Sequence, residues 1–495
     1  MEFKIRDKPH VFLFILILVL STGFRLVYLD QPMKYDEAYT FNQFASRTLF
    51  YVVSDYHAPN NQIFHTIFVH LSYSLFGKDE IFVRLPSFLF GILSVLGIYF
   101  LARKLFDKNV ALLSMVLLSV SQFFIGYSAE ARGYTLTVFL AIMTVYFVNE
   151  ALRTEKFKFW IISTVLASLS MYTIPSMLYL VFGIFVWALF IKINRLGKNQ
   201  KLKKPFLFLL LSIIITILLY VPALIYTGTG WILFVMGGVY GASVGLGRFI
   251  SGFPPMTANV LETFSLGLTH YAVLLIFVLL GYYFLYREKS FDRLILFLSL
   301  PITTLLIIII QSTLPPARIF IFLLPLFYML ISKGILDAAD LVVSSRKAFS
   351  KHHLERIIPL LIILAFLVQG IYANFLIEKD FSHDNEEVAK WLKANLEPGD
   401  NILVHCCEDQ QILFYMGKES YYKYENLESN VSRILIVINP EHKKPVEEFV
   451  KMGFETRGAT EYEMVERIGR ISIYRSTKLE NFVYIPGLKW ISARR

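Results

Sequence analysis

Residues 206–219 read FLFLLLSIIITILL, a run without a charged side chain in which only Ser212 and Thr216 are polar. Runs of the same kind recur along the chain, for example at 11–20 and 360–368. A bilayer core about 30 Å thick takes about 20 mainly apolar residues in a helix, and the windows around these runs meet that requirement. The pattern therefore predicts an all-α polytopic membrane protein.

Composition agrees with this fold class. Of the 495 residues, 56% are hydrophobic and 17% are charged, whereas an ordinary soluble domain carries roughly 25% charged residues. The deficit excludes a soluble enzyme, a disordered protein and a fibrous or disulfide-stapled one. The two cysteines, Cys406 and Cys407, are adjacent, which suits neither an ordinary disulfide nor a metal-binding spacing.

About eleven transmembrane helices are predicted from the apolar windows. The first follows the basic N-terminus, ends near Leu29, and is expected to be retained rather than cleaved as a signal peptide. The other predicted spans lie at roughly 82–102, 110–127, 134–151, 160–174, 176–192, 206–226, 269–286, 294–310, 318–335 and 357–376.

The net charge of +10 reflects 48 basic and 38 acidic residues. The basic side chains cluster in short loops on the same side of the spans as the N-terminus, which indicates topology rather than a nucleic-acid surface. The N-terminus is therefore predicted to be cytoplasmic, and everything after about residue 377 to be extracytoplasmic. We expect a multi-pass protein of a bacterial cytoplasmic membrane, with no nucleic-acid partner.

Two further apolar segments, Gln62–Phe76 and Trp231–Phe253, test this topology. If either one alone crossed the membrane, the basic loops that follow it would face outward. Both are therefore predicted to be outer-side helices that lie on the membrane or dip into it. The glycines Gly237, Gly241 and Gly245 in the second segment are compatible with close helix packing, with loop flexibility, or with a substrate role.

The chain is predicted to divide into a transmembrane domain, 1–376, whose first outer loop spans 30–81, and an extracytoplasmic domain, 377–495. Composition and alternation make the second a small α/β domain. It has no phosphate-binding glycine motif, so we expect scaffolding or partner docking there rather than catalysis. Its predicted elements are helices at 386–396 and 446–452 and strands at 402–405, 433–438 and 471–474.

Ionisable residues at or beside a membrane span are costly and therefore candidates for function. The first candidate is the pair Asp36–Glu37, a few residues beyond the first span. One carboxylate could act as a general base while the other orients it or binds a cation. A solvated acidic loop would explain the same pair.

The run DYHAPNN at 55–61 places His57, Asn60 and Asn61 in the same outer loop, with a proline that restricts the backbone. A plain turn before the next helix would also produce this run. Arg84 opens the second span, where it either lines a pocket or anchors the helix at the lipid headgroups.

A short outer loop carries Glu130, Arg132 and Tyr134. Its two charges can pair with each other, with lipid phosphate or with a bound anion. Arg318, which follows two prolines, could make a bidentate contact with phosphate, or reach the interface as an anchor. Arg25 lies inside the outer end of the first span, and either pairs with a nearby acid or points into the bundle.

In this order and in these places, the stretches are more specific than any one of them alone. They are FRLVYLDQPMKYDEAYT (24–40), DYHAPNNQIFHTIF (55–68), FGKDEIFVRLPS (76–87), LARKLFDKNVALLSMVLLSVSQFFIGYSAEARGYTL (101–136) and, more loosely, LPPARIFIFLLP (314–325). The chain resembles the polyprenyl-phosphate-sugar-dependent glycosyltransferases of the GT-C fold. Within them, it is similar to the dolichyl-phosphate-mannose protein mannosyltransferases and the bacterial lipid A aminoarabinose transferases. The likeness is good over 10–150, topological to 376 and negligible beyond.

The resemblance implies that Asp36, with Glu37 beside it, is catalytic. It further implies that Arg132, and with less support Arg318 and Arg25, face the donor phosphate. His57, Asn60, Asn61, Glu130, Tyr134 and Arg84 are then expected to line the substrate pocket. One departure concerns the first outer loop, where many bacterial members have a His-Pro-Pro-Leu-Tyr run and this chain has HAPNNQ at 57–62. Two amides replace an apolar and aromatic pair, so we expect the head-group or acceptor pocket to differ.

The expected reaction transfers a sugar from a polyprenyl-phosphate carrier to a lipid, glycan or protein acceptor on the outer face of the membrane. The alternatives are a flippase or exporter of lipid-linked saccharides and an assembly subunit for surface polysaccharide. The absence of a clear internal repeat and the position of the notable charges at outer helix ends favour transfer over transport. An acidic pair could hold a divalent cation, but no third oxygen-rich cluster accompanies it, so no obligatory metal or other cofactor is predicted.

Overall fold

The computed structural model describes residues 8–195, 202–230, 243–266, 271–344, 351–376, 383–398, 400–404, 408–418, 420, 433–439 and 462–476. Several features singled out in the sequence lie outside these residues. They are Cys406, Cys407, Gly237, Gly241 and the predicted helix at 446–452.

The described residues are mainly helical. The helices are α1 Lys8–Leu29, α2 Tyr35–Thr40, α3 Leu49–Ser54, α4 Ile63–Phe76, α5 Glu80–Leu105, α6 Lys108–Val120, α7 Gln122–Ser128, α8 Tyr134–Thr154, α9 Phe157–Thr173, α10 Leu178–Arg195, α11 Lys203–Tyr226, α12 Leu246–Thr263, α13 Tyr271–Arg287, α14 Phe291–Gln311, α15 Leu324–Ser344, α16 Lys351–Ile371, α17 Asp384–Asn395 and α18 Asp409–Met416. The strands are β1 Asp400–Val404, β2 Arg433–Ile438, β3 Tyr462–Ile468 and β4 Ile471–Ser476.

The chain forms two compact units. One comprises Met1–Asp30 and Arg47–Glu378, and the other comprises Gln31–Ser46 and Lys379–Arg495. The predicted first outer loop, 30–81, is therefore shared, since its first third belongs with the C-terminal residues. The domain limits drawn from the sequence did not include this exchange, and they stay a prediction.

The first unit has the architecture of a multi-pass membrane protein. Eight helices within the described residues are long and apolar enough to cross a bilayer, and nine if the bent pair α6–α7 counts as one span. Two further predicted spans correspond to α9 and α13, each a helix of 17 residues. The helical membrane fold is thus confirmed, whereas the number eleven stays a prediction.

The bend between α6 and α7 positions the loop that follows them. The two helices meet at an angle of 64°, and Ser121 at the junction accepts a hydrogen bond from the Phe124 amide at 3.4 Å through its hydroxyl oxygen. A serine that caps a new helix favours a restart of the chain over a continuous helix. The restart directs the end of α7 into the turn 129–133, which leads into α8.

In the second unit, α17 and α18 accompany a four-stranded sheet of order β1-β2-β4-β3. Strands β1 and β2 are parallel, with Ile402 opposite Leu435, whereas β4 runs antiparallel to both β2 and β3. The small α/β domain predicted from the sequence is confirmed as a fold, although the sequence analysis missed β3. That strand, YEMVERI, has exposed charged side chains, so it lacks the apolar run by which the other strands were found.

Two glycines allow α13 and α15 to pack with their backbones in close approach. A Cβ at Gly281 would lie 2.5 Å from the Leu330 carbonyl oxygen, and a Cβ at Gly334 would collide with the Phe277 carbonyl oxygen. Because backbone cannot move aside as a flexible side chain can, these positions exclude larger residues. Small residues at such contacts are a common means of helix association in membranes.

We expect Gly334→Ala to separate α13 from α15 and to destabilise the protein by roughly 1–3 kcal/mol, the usual cost of overpacking. Thermal unfolding of the purified protein in detergent measures the change. Gly247→Ala in α12 is the matched control, because a Cβ there meets open space. Equal unfolding temperatures for the two variants would contradict the packing argument.

Candidate functional site

The turn between α7 and α8 is held in place by the first outer loop and by α5. The Gly133 amide donates a hydrogen bond to the Gln62 side-chain oxygen, and the Ser87 hydroxyl donates to the Arg132 carbonyl at 3.0 Å. A Cβ at Gly133 would lie 2.7 Å from the Thr173 methyl carbon and 2.9 Å from His65 Cβ. Only glycine fits this position, so the turn has one location in the fold.

His65 completes this arrangement as a neutral group. Its Nε2 lies 2.8 Å from the Ser87 hydroxyl oxygen. Since the single Ser87 proton is donated to Arg132, His65 must donate its own Nε2 proton to Ser87. Burial, and secondarily the charge of Arg132, lowers the pKa of His65 to about 3. The imidazole is therefore a structural donor at neutral pH rather than an acid or base.

The turn brings together three of the predicted site residues. Arg132 is 4% exposed, its guanidinium donates to the Tyr134 hydroxyl at 3.4 Å, and its Cζ lies 5.5 Å from the centre of the Tyr134 ring. The Tyr127 ring lies 4.4 Å from the Tyr134 ring, centre to centre. The Tyr127 hydroxyl is also close enough to Glu130, Arg132 and Arg318 to interact with their charges. Two cations, one carboxylate and two phenols thus form one polar cluster.

An apolar cavity of about 330 Å³ lies among α12, α13, α14, α15 and the short turn of helix at Ala317–Leu323. Arg318 of the polar cluster is the second residue of that turn, and Phe320 and Leu323 further along it line the cavity. Aromatic rings form a second connection from Tyr127 through Phe123 to Phe264. Further lining residues include Val260, Phe297 and Phe327. The polar cluster and the apolar cavity therefore share structural elements.

The run at 55–61 forms a tightly bonded loop. The Asp55 carboxylate accepts hydrogen bonds from His57 Nδ1 at 2.7 Å and from the His57 amide at 3.0 Å. Burial alone would raise the pKa of Asp55, but the hydrogen bonds from His57 and Tyr51 lower it below its usual value. The Asn61 amide donates to the carbonyls of Val52 and Asp55 at 2.9 and 2.6 Å.

This geometry orients the imidazole of His57, whereas buried Asn61 stabilises the loop itself. Asn60, between them, supplies its carbonyl to the Gln62 amide at 3.0 Å. An ionised Asp55 favours the His57 tautomer that carries its proton on Nδ1. The Asp55–His57 pair could offer a metal ion one carboxylate oxygen and one imidazole nitrogen. Among the described residues, no group of three His, Cys, Asp or Glu side chains is arranged to hold a metal ion.

Arg25 and Arg84 are fully buried and bond to the chain's own oxygens. The Arg25 guanidinium donates to the Ser128 hydroxyl at 3.1 Å and to the Ser21 carbonyl at 2.9 Å. The Arg84 guanidinium donates to the Leu29 carbonyl at 2.7 Å. Arg25 therefore points into the bundle and ties α1 to α7, and Arg84 ties α5 to the end of α1 rather than reaching the headgroups.

The acidic pair lies in the second unit, on the six-residue helix α2. Glu37 is fully buried, and its carboxylate accepts a hydrogen bond from the Lys34 amide at 2.8 Å, as a capping carboxylate does in the first turn of a helix. The neighbouring Asp36 is half-buried, and its carbonyl accepts from the Thr40 hydroxyl at 2.8 Å. The cluster of Arg132 and Arg318 belongs to the first unit.

Comparison with known proteins identifies the fold. Residues 59–226 match the family model of dolichyl-phosphate-mannose-protein mannosyltransferases. ArnT from Cupriavidus metallidurans, in the apo state, has a TM-score of 0.60 at 12% identity, covering 93% of this chain and 97% of its own. The chain has the GT-C fold. The same fold is seen in the oligosaccharyltransferase AglB from Archaeoglobus fulgidus, with a TM-score of 0.56 at 14% identity, covering 88% of this chain and 70% of its own.

The family resemblance seen in the sequence is thereby confirmed. The matched family and AglB are glycosyl-transferring enzymes, which supports the predicted GT-C glycosyltransferase. A curated relative, an uncharacterized protein of Aquifex aeolicus, is 34% identical over 95 residues. The chain spans only 19% of the length of that relative, so the comparison adds no activity.

Four residues of the cluster and its support were missed in the sequence: Tyr127, Gln62, His65 and Ser87. Tyr127 lies in an apolar helix, where a tyrosine carries no signal of its own. Gln62 and Ser87 act on the turn across 71 and 45 residues of sequence. Their polar side chains at the ends of apolar segments were visible signals, but the pairing depends on the packing of α4 and α5.

The burial of His65 leads to a prediction about how the stability of the protein depends on pH. Its folded pKa of about 3 lies below the ordinary value of 6.5, so the unfolded chain binds the proton more tightly. Its contribution to stability is therefore present above pH 6.5 and is lost as the pH falls toward 3, by about 1.4 kcal/mol per pH unit. We expect His65→Gln to lose less thermal stability than the wild type between pH 6.5 and 4.5 in detergent. His70→Gln on the same helix is the control, and equal pH slopes for wild type and His65→Gln would refute the assignment.

Proposed function

We propose that the protein is a membrane glycosyltransferase that moves a sugar from a polyprenyl-phosphate carrier to an acceptor on the outer face of a bacterial cytoplasmic membrane. The observation that carries the proposal is the polar cluster around buried Arg132. Arg318 of this cluster lies on the same helical turn, Ala317–Leu323, as residues that line an apolar cavity. A lipid phosphate would match both features, because its charged head group is joined to a long apolar tail.

The ligands of the structural neighbours support this assignment. ArnT has been crystallised with undecaprenyl phosphate, and that structure superposes with a TM-score of 0.57 at 12% identity. AglB has been solved with a dolichol-phosphate and an inhibitory peptide. We infer that the cavity takes the first isoprene units of such a carrier, while Arg132 and Arg318 hold its phosphate.

In the proposed reaction, the acceptor hydroxyl or amine attacks the anomeric carbon of the donor sugar. The new bond to the acceptor forms as the bond between the anomeric carbon and the phosphate oxygen breaks, with inversion. Asp36 takes the acceptor proton, which contributes about 10²–10⁴-fold as a positioned general base. The lipid phosphate leaves with the bonding electron pair, and the arginines stabilise its growing negative charge.

The residues around these groups have supporting roles in this scheme. Glu37 holds the start of α2 beside Asp36, and Arg25 holds α7 beside the turn that carries Arg132. Glu130, Tyr134, His57, Asn60, Asn61 and Arg84 are proposed for the substrate pocket or its support. The energy for transfer is stored in the sugar–phosphate bond, so no nucleotide is needed on the outer side.

Asp36→Asn tests the base. We expect kcat to fall about 100-fold or more because an amide cannot take the acceptor proton. The assay incubates the purified protein with radiolabelled polyprenyl-phosphate sugars and an envelope lipid extract, and follows free lipid phosphate and new glycoconjugate. Asp79→Asn is the matched control, since either side chain can cap α5. Wild-type turnover in a correctly inserted Asp36→Asn protein would remove Asp36 from this role.

Arg132→Ala tests the phosphate site. Loss of one preorganised charge partner costs about 10²–10³-fold in turnover, and we expect that loss while the protein remains in the membrane. Arg132→Lys should restore part of it, because a lysine keeps the charge but not the planar fork. The exposed Arg103, changed to Ala, serves as the control. Unchanged donor kinetics in Arg132→Ala would exclude this group from the site.

The same assay separates transfer from transport. Release of free lipid phosphate together with a labelled acceptor supports the proposal. Movement of intact lipid-linked sugar across the vesicle membrane without cleavage would instead indicate a flippase or exporter.

A further inference from the structure

We infer that helix α18 of the C-terminal domain positions the catalytic acid, through Gln410, Phe414 and Tyr415. The domain is then a working part of the active site rather than only a scaffold or docking surface. This inference rests on the proposed function, since it takes Asp36 as the base. Its structural part, that α18 holds the segment 31–46, can be tested without any activity.

The contacts lie on both sides of the acidic pair. Before α2, the Met33 amide donates to the Tyr415 hydroxyl at 3.0 Å. After α2, the Phe41 ring packs edge-on against Phe414, with 5.2 Å between the ring centres. Asp36 lies between these two attachments, so movement of the segment is restrained at either end.

An amide pair fixes the register of the segment on α18. The Asn42 side chain donates to the Gln410 carbonyl at 2.8 Å, and Asn42 and Gln410 are 2% and 8% exposed. The Gln43 side chain also reaches the Gln410 side-chain oxygen, at 3.4 Å. A slip of the segment by one residue would leave buried amide groups without these partners, and such groups are costly to leave unpaired.

Helix α2 depends on this support because it has only six residues and is continued by only five more, the π-helical segment Phe41–Ala45. An isolated helix shorter than about 12–15 residues is marginal in water. The capping bond of Glu37 satisfies one amide but cannot supply the packing that a longer helix would have. We attribute the order of α2 to its attachment to α18.

Helix α18 can position the segment 31–46 because one of its faces packs in the core of the domain and the other contacts that segment. Ile412, Leu413 and Met416 belong to the hydrophobic core of the sheet domain. Gln410 and Phe414, one helical turn apart, contact the segment 31–46. The helix therefore connects the folded sheet to the acid-bearing segment through a rigid element, which is the more precise kind of support for a reacting group.

A base that is displaced by about 1 Å can lose about 100-fold in rate. Positioning should therefore affect kcat rather than the binding of the donor. We expect Asn42→Ala and Phe414→Ala to lower kcat about 10- to 100-fold with the donor KM within twofold of wild type. The first removes the side-chain amide that donates to the Gln410 carbonyl, and the second removes the ring that packs against Phe41. Phe414→Leu, which keeps apolar bulk against Phe41, should restore most of the rate.

The experiment combines these kinetics with hydrogen–deuterium exchange of the full-length protein in lipid nanodiscs. In the two alanine variants, amides of the segment 31–46 should exchange at least 10-fold faster, while those of β1 and β2 stay protected. Lys390→Ala on α17 is the control, because its side chain is 70% exposed and belongs to the same domain.

The inference would be overturned if the amides of 31–46 exchanged at the wild-type rate in both alanine variants. It would also be overturned if those amides exchanged faster while kcat stayed at the wild-type value. Loss of protection in β1 and β2 as well would show that the domain had unfolded. Tyr415→Phe, which removes only the hydroxyl that accepts from the Met33 amide, then decides by the same two readouts against Lys390→Ala. If the wild-type protein transfers no sugar at all, the proposed function fails, whereas the exchange result still decides whether α18 holds the segment.

Discussion

The hydrogen bonds that hold the turn 129–133 in place determine the position of Arg132 and therefore of the polar cluster. Buried backbone that departs from a helix needs other hydrogen-bond partners, because an unpaired buried amide or carbonyl is costly. This turn departs from helix and is compensated by Gln62 and Ser87, which bond to the Gly133 amide and the Arg132 carbonyl. Arg132 can therefore be a buried cation at one defined place, rather than a side chain that reaches the interface.

A buried cation also needs its surroundings arranged in advance. Arg132 has the Tyr134 ring and hydroxyl beside it. His65 is neutral, so it adds no second positive charge near Arg132. Arg25 ties α7 to α1 and so stabilises the helix that precedes the turn. These residues determine where Arg132 lies in the fold.

The acidic pair and Arg132 belong to different compact units. The acidic pair follows the first span in sequence, but it belongs to the compact unit formed with the C-terminal domain. A short segment gains order from a folded domain more readily than from its own helix propensity. The six residues of α2 and the five of the π-helical segment that follows form too few hydrogen bonds to repay their entropy. Under the proposed function, this arrangement gives the C-terminal domain a role in the enzyme, because the domain orders the segment that carries Asp36.

The sequence by itself determined the membrane class, the GT-C resemblance, the small α/β domain and the residues Arg132, Glu130 and Tyr134 as one group, because hydropathy and local motifs act over short stretches of chain. Tertiary structure alone decided that Tyr127 and Arg318 join that group, that Arg25 and Arg84 bond within the protein, and that β3 completes the sheet. It also assigned Asp36 to the second unit through contacts between residues 33–43 and 410–415. Arg84, Arg25 and Asn42 bond to residues 55, 103 and 368 positions away along the chain, and no local periodicity encodes which distant side chains will meet when the helices pack.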